Sequence, residues 1–137
     1  MRFNILVTGA LYSTQSGYSA LQFCQSAIQA GHTISQIFFY QDGVQQANKL
    51  STPLEDEFEP VTAWSDFSTE HRVELIVCVS AAERRGVMSD DQANEFSKGR
   101  GNLHPAFLIA GLGVMHEASL VADRTVTFKW ACPQKCL

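Results

Sequence analysis

The chain has 137 residues, 45% hydrophobic and 18% charged, which suits one domain whose core needs no covalent staples. Ten Lys and Arg against 14 Asp and Glu leave a formal charge of −4, which argues against autonomous nucleic-acid binding. The apolar runs are far shorter than a membrane span, and Met1-Arg-Phe-Asn leads into a strand pattern rather than a signal peptide's apolar region, so a cytoplasmic protein is expected.

In chain order, residues 3–8 read as a buried strand and 9–17 as a polar, Gly-bounded loop. Ala20, Leu21, Phe23, Cys24, Ala27 and Ile28 follow at helical spacing until Gly31 stops the helix. Cys24 sits in that apolar stripe and reads as a small core residue. The loop before the helix invites a phosphate-binding reading, but neither G-x-G-x-x-G nor G-x-x-x-x-G-K-[ST] is present. Residues 33–40 form a second strand pattern, then a turn with Asp42 as a candidate cap for a short helix over 44–49. Residues 50–60 carry Pro53, Pro60, Glu55, Asp56, Glu57 and Glu59, the signature of an exposed loop; four carboxylates so placed are more often a solvated face than a metal site. A helix with Ala63, Trp64 and Phe67 on one side spans 61–70.

The stretch 73–86 organises the rest. Residues 73–79 are almost all apolar or β-branched, as in a strand covered on both faces, and from Ser80 the composition turns helical, with Ser80 as capping-type residue and Gly86 as stop. Cys78 therefore falls at a strand-to-helix junction, near free backbone N–H groups and the positive end of a helix dipole, with Arg84 and Arg85 one to two turns on; all of these favour thiolate over thiol. The competing reading is a core thiol, because cysteine is among the most buried residue types. Beyond Gly86, a capped polar helix spans 89–96, an irregular loop 98–105, a short strand 106–110, a helix 113–122 and an edge strand 124–128.

Alternating strands and helices predict a single-domain, three-layer α/β/α fold on a mainly parallel five-stranded sheet. Ligand sites in such sheets lie beyond the carboxyl ends of the strands. That rule gathers Tyr12, Thr14 and Gln15 after strand one, Tyr40 and Asp42 after strand two, and Cys78 and Ser80 at strand three, with residues 102–105, including His104, placed near strand four. It also separates His71 from Cys78, since seven strand residues at ~3.3 Å each span roughly 23 Å. His104 and His116 have no spacing that marks either as a base for Cys78, so a Cys-His hydrolase is poorly supported.

Taken together, Met1-Arg-Phe, Phe38-Phe-Tyr40 with Asp42-Gly-Val44, Cys78-Val with Ala81-Ala and Arg84-Arg-Gly-Val87, Asn102-Leu-His-Pro105, and Gly111-Leu-Gly113 with Glu117-Ala118 resemble the DsrE/TusD-like sulfur-relay family over residues 1 to about 128. The resemblance implies a DsrE-like fold, a persulfide carried on Cys78, and a hetero-oligomer with two related subunits, TusB/TusC-like or DsrF/DsrH-like. It implies a sulfurtransferase that needs no metal, nucleotide or redox cofactor. Sulfur would pass between upstream and downstream carrier proteins, either for 2-thiolation of the tRNA wobble uridine or, in the DsrE branch, for dissimilatory sulfur oxidation. Tyr12, Thr14, Gln15, Tyr40, Asp42, Ser80, Arg84, Arg85 and His104 are the candidates for the pocket or for stabilising the persulfide. A scaffold subunit with an inert Cys78 and a nucleotide-binding regulatory domain are the alternative classes. Residues 129–137 depart from the family pattern as a C-terminal tail, in which Cys132 and Cys136 are either unstructured or a resolving thiol pair.

Overall fold

The computed structural model describes residues 1–129. Five strands, β1 (Arg2–Val7), β2 (Thr33–Phe39), β3 (Glu74–Cys78), β4 (Phe107–Ala110) and β5 (Arg124–Phe128), form one all-parallel sheet in the order β4-β3-β2-β1-β5. The helices are α1 (Ser16–Gln29), α2 (Pro60–His71), α3 (Val79–Arg84), α4 (Asp90–Glu95) and α5 (Leu112–Val121), with a 3₁₀ helix over Gln41–Ala47. The sheet advances one neighbour at a time from β1 to β4, so right-handed crossovers place α1, α2 and the α3–α4 pair on one face. The return from β4 at one edge to β5 at the other carries α5 over the opposite face.

The two faces differ in how they are filled. On the α1–α2 face, Phe39 meets Trp64 edge-on at 5.3 Å and Phe107 at 5.4 Å, and Phe3 meets Phe23 at 5.3 Å. This is the deep core, with Ile5, Val7, Ile37, Phe39, Trp64, Leu75 and Val77 all fully enclosed. The α5 face is less sealed. Leu108 points there half-exposed, and no residue of α5 is buried although the helix is mostly apolar. A polar row, Thr125, Asn4, Gln36 and Glu74, runs across neighbouring strands on that face. Asn4 Oδ1 and Gln36 Nε2 in it have no hydrogen-bond partner among the described residues.

Several boundaries differ from expectation. Helix α3 begins at Val79 with Cys78 itself as N-cap residue, so Ser80 lies inside the helix rather than capping it. Asp42 caps nothing; it stands in the first turn of the 3₁₀ helix, whose N-cap is Tyr40. Residues 102–105 precede β4 and are pinned by the Asn48–Leu103 bridge and by the His104 N–H donating to the Ala47 carbonyl, so this loop does not join the carboxyl rim. Helix α4 behaves as its sequence promises, with a capping box between Ser89 and Gln92.

The 3₁₀ helix seats on the end of β1 through Gly43, where a β-carbon would fall well inside contact distance of the Val7 carbonyl oxygen. Replacing Gly43 by Ala is therefore expected to destabilise the fold by about 1–3 kcal/mol, the range for overpacking a closed site. A shift of the urea midpoint checks this, and a wild-type midpoint would show that the 3₁₀ helix is free to lift.

Candidate functional site

Cys78 ends β3 and opens α3, so its position is set by the last ladder pairs of the sheet, Val77 with Phe39 and Cys78 with Ala110. Side chains alternate along a strand, which puts Cys78 on the face of Ile76 and Leu108, the α5 face. It is 1% exposed, and Sγ lies 3.5 Å from Ser80 Oγ. Tyr40, extended and directly beyond Phe39, is its neighbour on the adjoining strand. As N-cap residue, Cys78 precedes the first-turn N–H groups of α3 that have no intrahelical acceptor.

The remaining candidates divide. Arg85 Nε donates to Asp42 Oδ1 at 2.7 Å and its Nη1 to the Ala81 carbonyl at 3.1 Å, so this pair ties α3 to the 3₁₀ helix. Arg84 is exposed at the end of α3. His104 accepts the Ala106 N–H on Nδ1 and stands edge-on to Phe107 at 6.1 Å, a packing role at the foot of β4.

Tyr12, Thr14 and Gln15 share the carboxyl rim with Cys78 but open on the other face. They line a cleft of about 340 Å³ with Leu11, Gly17, Tyr18, Gln46, Glu57, Phe58 and Pro60. Cys78 is not among its lining residues. Partial burial, then the carboxylates of Glu57 and Glu59, raise the Tyr12 hydroxyl above its ordinary pKa. Thr14 Oγ1 is engaged with the Ala10 carbonyl at 2.9 Å and with Ser16 Oγ at 2.9 Å. Sequence reasoning missed Tyr18, Gln46 and Phe58 as members of this cleft, because they come from three separate elements. The one local signal was Gly17 in the first turn of α1, where a β-carbon would collide with the Gln46 amide. Among the described residues no three His, Cys, Asp or Glu side chains are grouped to hold a metal ion, and no helix is long and apolar enough to cross a membrane.

With this geometry in hand, three likenesses bear on it. A family model described as the DsrE/DsrF-like family matches residues 1–128, and the chain belongs to that family. A protein of Salmonella newport (strain SL254) named Sulfurtransferase TusD is 45% identical over 128 residues, covering 93% of this chain and all of the relative. The crystal structure of the ychN protein from E. coli superposes with a TM-score of 0.71 at 18% identity, covering 93% of this chain and all of that one, a likeness of fold.

Two free thiols lie among the described residues, and they sit in different settings. Cys24 is sealed beneath α1 on the deep-core face, and burial pushes its thiol from 9.0 up to about 12. The folded chain keeps that proton where the unfolded chain loses it, so this contribution to stability is complete below pH 9.0 and is lost as pH rises toward about 12. Urea midpoints are expected to fall between about pH 8 and about pH 10 by more in the wild type than in Cys24→Ala. Equal slopes would mean that the Cys24 thiolate is tolerated in the core.

Proposed function

We propose that Cys78 is the sulfur-carrying residue of this chain, a sulfurtransferase subunit of a sulfur relay, and that the relay serves 2-thiolation of the tRNA wobble uridine. The observation that carries this reading is the placement of Cys78 at the carboxyl end of β3, as N-cap of α3, in a chain 45% identical to a protein named Sulfurtransferase TusD. The Cys78 thiolate attacks the outer sulfur of a donor persulfide, forming the Cys78 S–S bond as the donor's own S–S bond breaks. The donor leaves as a thiolate, and the outer sulfur now belongs to Cys78–S–SH. A second thiolate, on the acceptor, removes that sulfur by the same displacement. The exchange is balanced without an oxidant or reductant.

The face on which Cys78 lies supports the expected assembly with two related subunits. Leu112, Leu120, Val121 and Leu108 are all exposed there, an apolar surface of a kind that marks a protein contact. The net negative charge fits a subunit that leaves tRNA contact to other proteins of the relay, and the absence of a membrane-length helix among the described residues fits a cytoplasmic role.

The 1% exposure of Cys78 favours a second reading, a scaffold subunit whose thiol is inert. Intact-mass spectrometry after incubation with a persulfide donor separates the two. One added sulfur is expected on the wild type and none on Cys78→Ser, in the isolated chain or in the complex with its related subunits; no gain in either state would leave the scaffold reading. Cys132 and Cys136 lie outside the described residues, and their proposed resolving role is abandoned if changing both to Ser leaves transfer unaffected. A Leu112→Asp, Leu120→Asp double variant is expected to lose co-purification with the related subunits while keeping the wild-type circular dichroism spectrum. Retained co-purification would move the contact off α5.

A further inference from the structure

Sulfur transfer leaves one built feature of the molecule unused, the cleft of about 340 Å³ beside Tyr12, on the face away from Cys78. Its floor is fixed before any ligand arrives. Gln46, 2% exposed, takes the Trp64 indole N–H on Oε1 at 3.3 Å, and Gly17 leaves room for its amide, with which a β-carbon would collide. Around the floor stand three aromatic rings, Tyr12, Tyr18 and Phe58, 48%, 47% and 42% exposed, the last two edge-to-face at 5.2 Å. Tyr12 sits at φ 64°, a left-handed backbone that a residue with a β-carbon rarely adopts.

The charge beside these rings is of one sign. Glu57 lines the cleft, and its Oε2 accepts the Leu54 N–H at 3.0 Å, which holds the carboxylate in place. Glu57 and Glu59 both act on the Tyr12 hydroxyl, so the two carboxylates lie within electrostatic reach of one ring. No Lys or Arg lines the cleft, and the ion pairs among the described residues, Arg85 with Asp42 and His71 with Glu70, lie elsewhere.

That combination selects an occupant. Carboxylates repel phosphate and other anions, and a wholly apolar ligand would desolvate them with nothing in return. A divalent metal ion wants several grouped ligands, which the described residues do not bring together here. A guanidinium suits both features: it is planar and weakly hydrated, it stacks on aromatic rings, and it meets carboxylates with paired N–H donors. The cleft is at the small end of the range for ligand sites and its aromatic walls are half open, which fits one long side chain whose backbone stays outside. Leu54, 72% exposed, adds apolar surface next to Glu57, and exposed aromatics facing an arginine are the composition of protein contacts.

We propose that the cleft is a socket for an arginine side chain of a partner protein, with the guanidinium at the Glu57 and Glu59 carboxylates and its stem against Tyr18 and Phe58. The contact lies apart from Cys78 and stands whether or not Cys78 carries sulfur.

Titrating the isotope-labelled full chain with acetyl-arginyl-leucine amide, followed by backbone amide NMR shifts, tests it. Saturable shifts are expected in residues 11–18 and 57–60, and the uncharged citrulline analogue of the peptide is expected to bind the same wild-type protein severalfold more weakly. Glu57→Gln, which keeps an oxygen for the Leu54 N–H, and Phe58→Ser are each expected to weaken binding severalfold. Shifts absent or confined elsewhere, equal binding of the citrulline peptide, or an unchanged affinity in either variant would overturn the proposal. Free L-arginine binding as tightly as the blocked peptide would overturn it as well, by assigning the cleft to a small molecule instead of a protein.

Discussion

The seating of the 3₁₀ helix on the carboxyl end of β1 is the contact on which the rim depends. Gly43 lets the backbone come against the Val7 carbonyl, and no side chain would allow that approach. Once seated, the segment reaches both ways. Asp42 holds Arg85 and with it the end of α3, while Gln46 receives the Trp64 indole and forms the floor of the Tyr12 cleft. One short element thus braces the helix that Cys78 caps and shapes the cleft on the opposite face.

The sheet decides what the rim can do. In a parallel sheet buried on both faces, strands carry near-continuous apolar runs, and for that reason residues 3–8, 33–40 and 73–79 were legible as strands. The same property hides which face each residue serves. Val77 and Cys78 look alike in sequence, yet one packs into the deep core and the other faces α5. Only the register, set by pairing with β2 and β4, separates Cys78 from Tyr12, Thr14 and Gln15, which the rim rule had gathered into one group. The five-stranded parallel architecture was foreseeable; the division of the rim was not.

Local chemistry was readable where it acts locally. The Ser89–Gln92 capping box spans three residues and forms as its sequence implies. At Ser80 the same reasoning failed, because the end of the β3 ladder, rather than the best capping side chain, fixes where α3 starts. The Asn102–Pro105 loop failed for a related reason. His104 and Leu103 are held by Ala47 and Asn48, more than fifty residues earlier, and no local pattern reports such a contact.

The two described thiols illustrate how one fold can assign opposite fates to one residue type. Cys24 lies on a helix stripe pressed against the strongest core, and forming its thiolate there means desolvating a charge with nothing to offset it. Cys78 is as little exposed in the single chain, but its cover is of another kind. It faces the side on which α5 buries none of its own residues and Leu108 stays half open. A buried thiol under an incompletely packed layer needs only that layer to yield before a donor sulfur can reach it, whereas exposing Cys24 would mean lifting α1 from the sheet. The difference in what must move, rather than the difference in exposure, is the physical ground on which the proposal assigns sulfur exchange to Cys78 and not to Cys24.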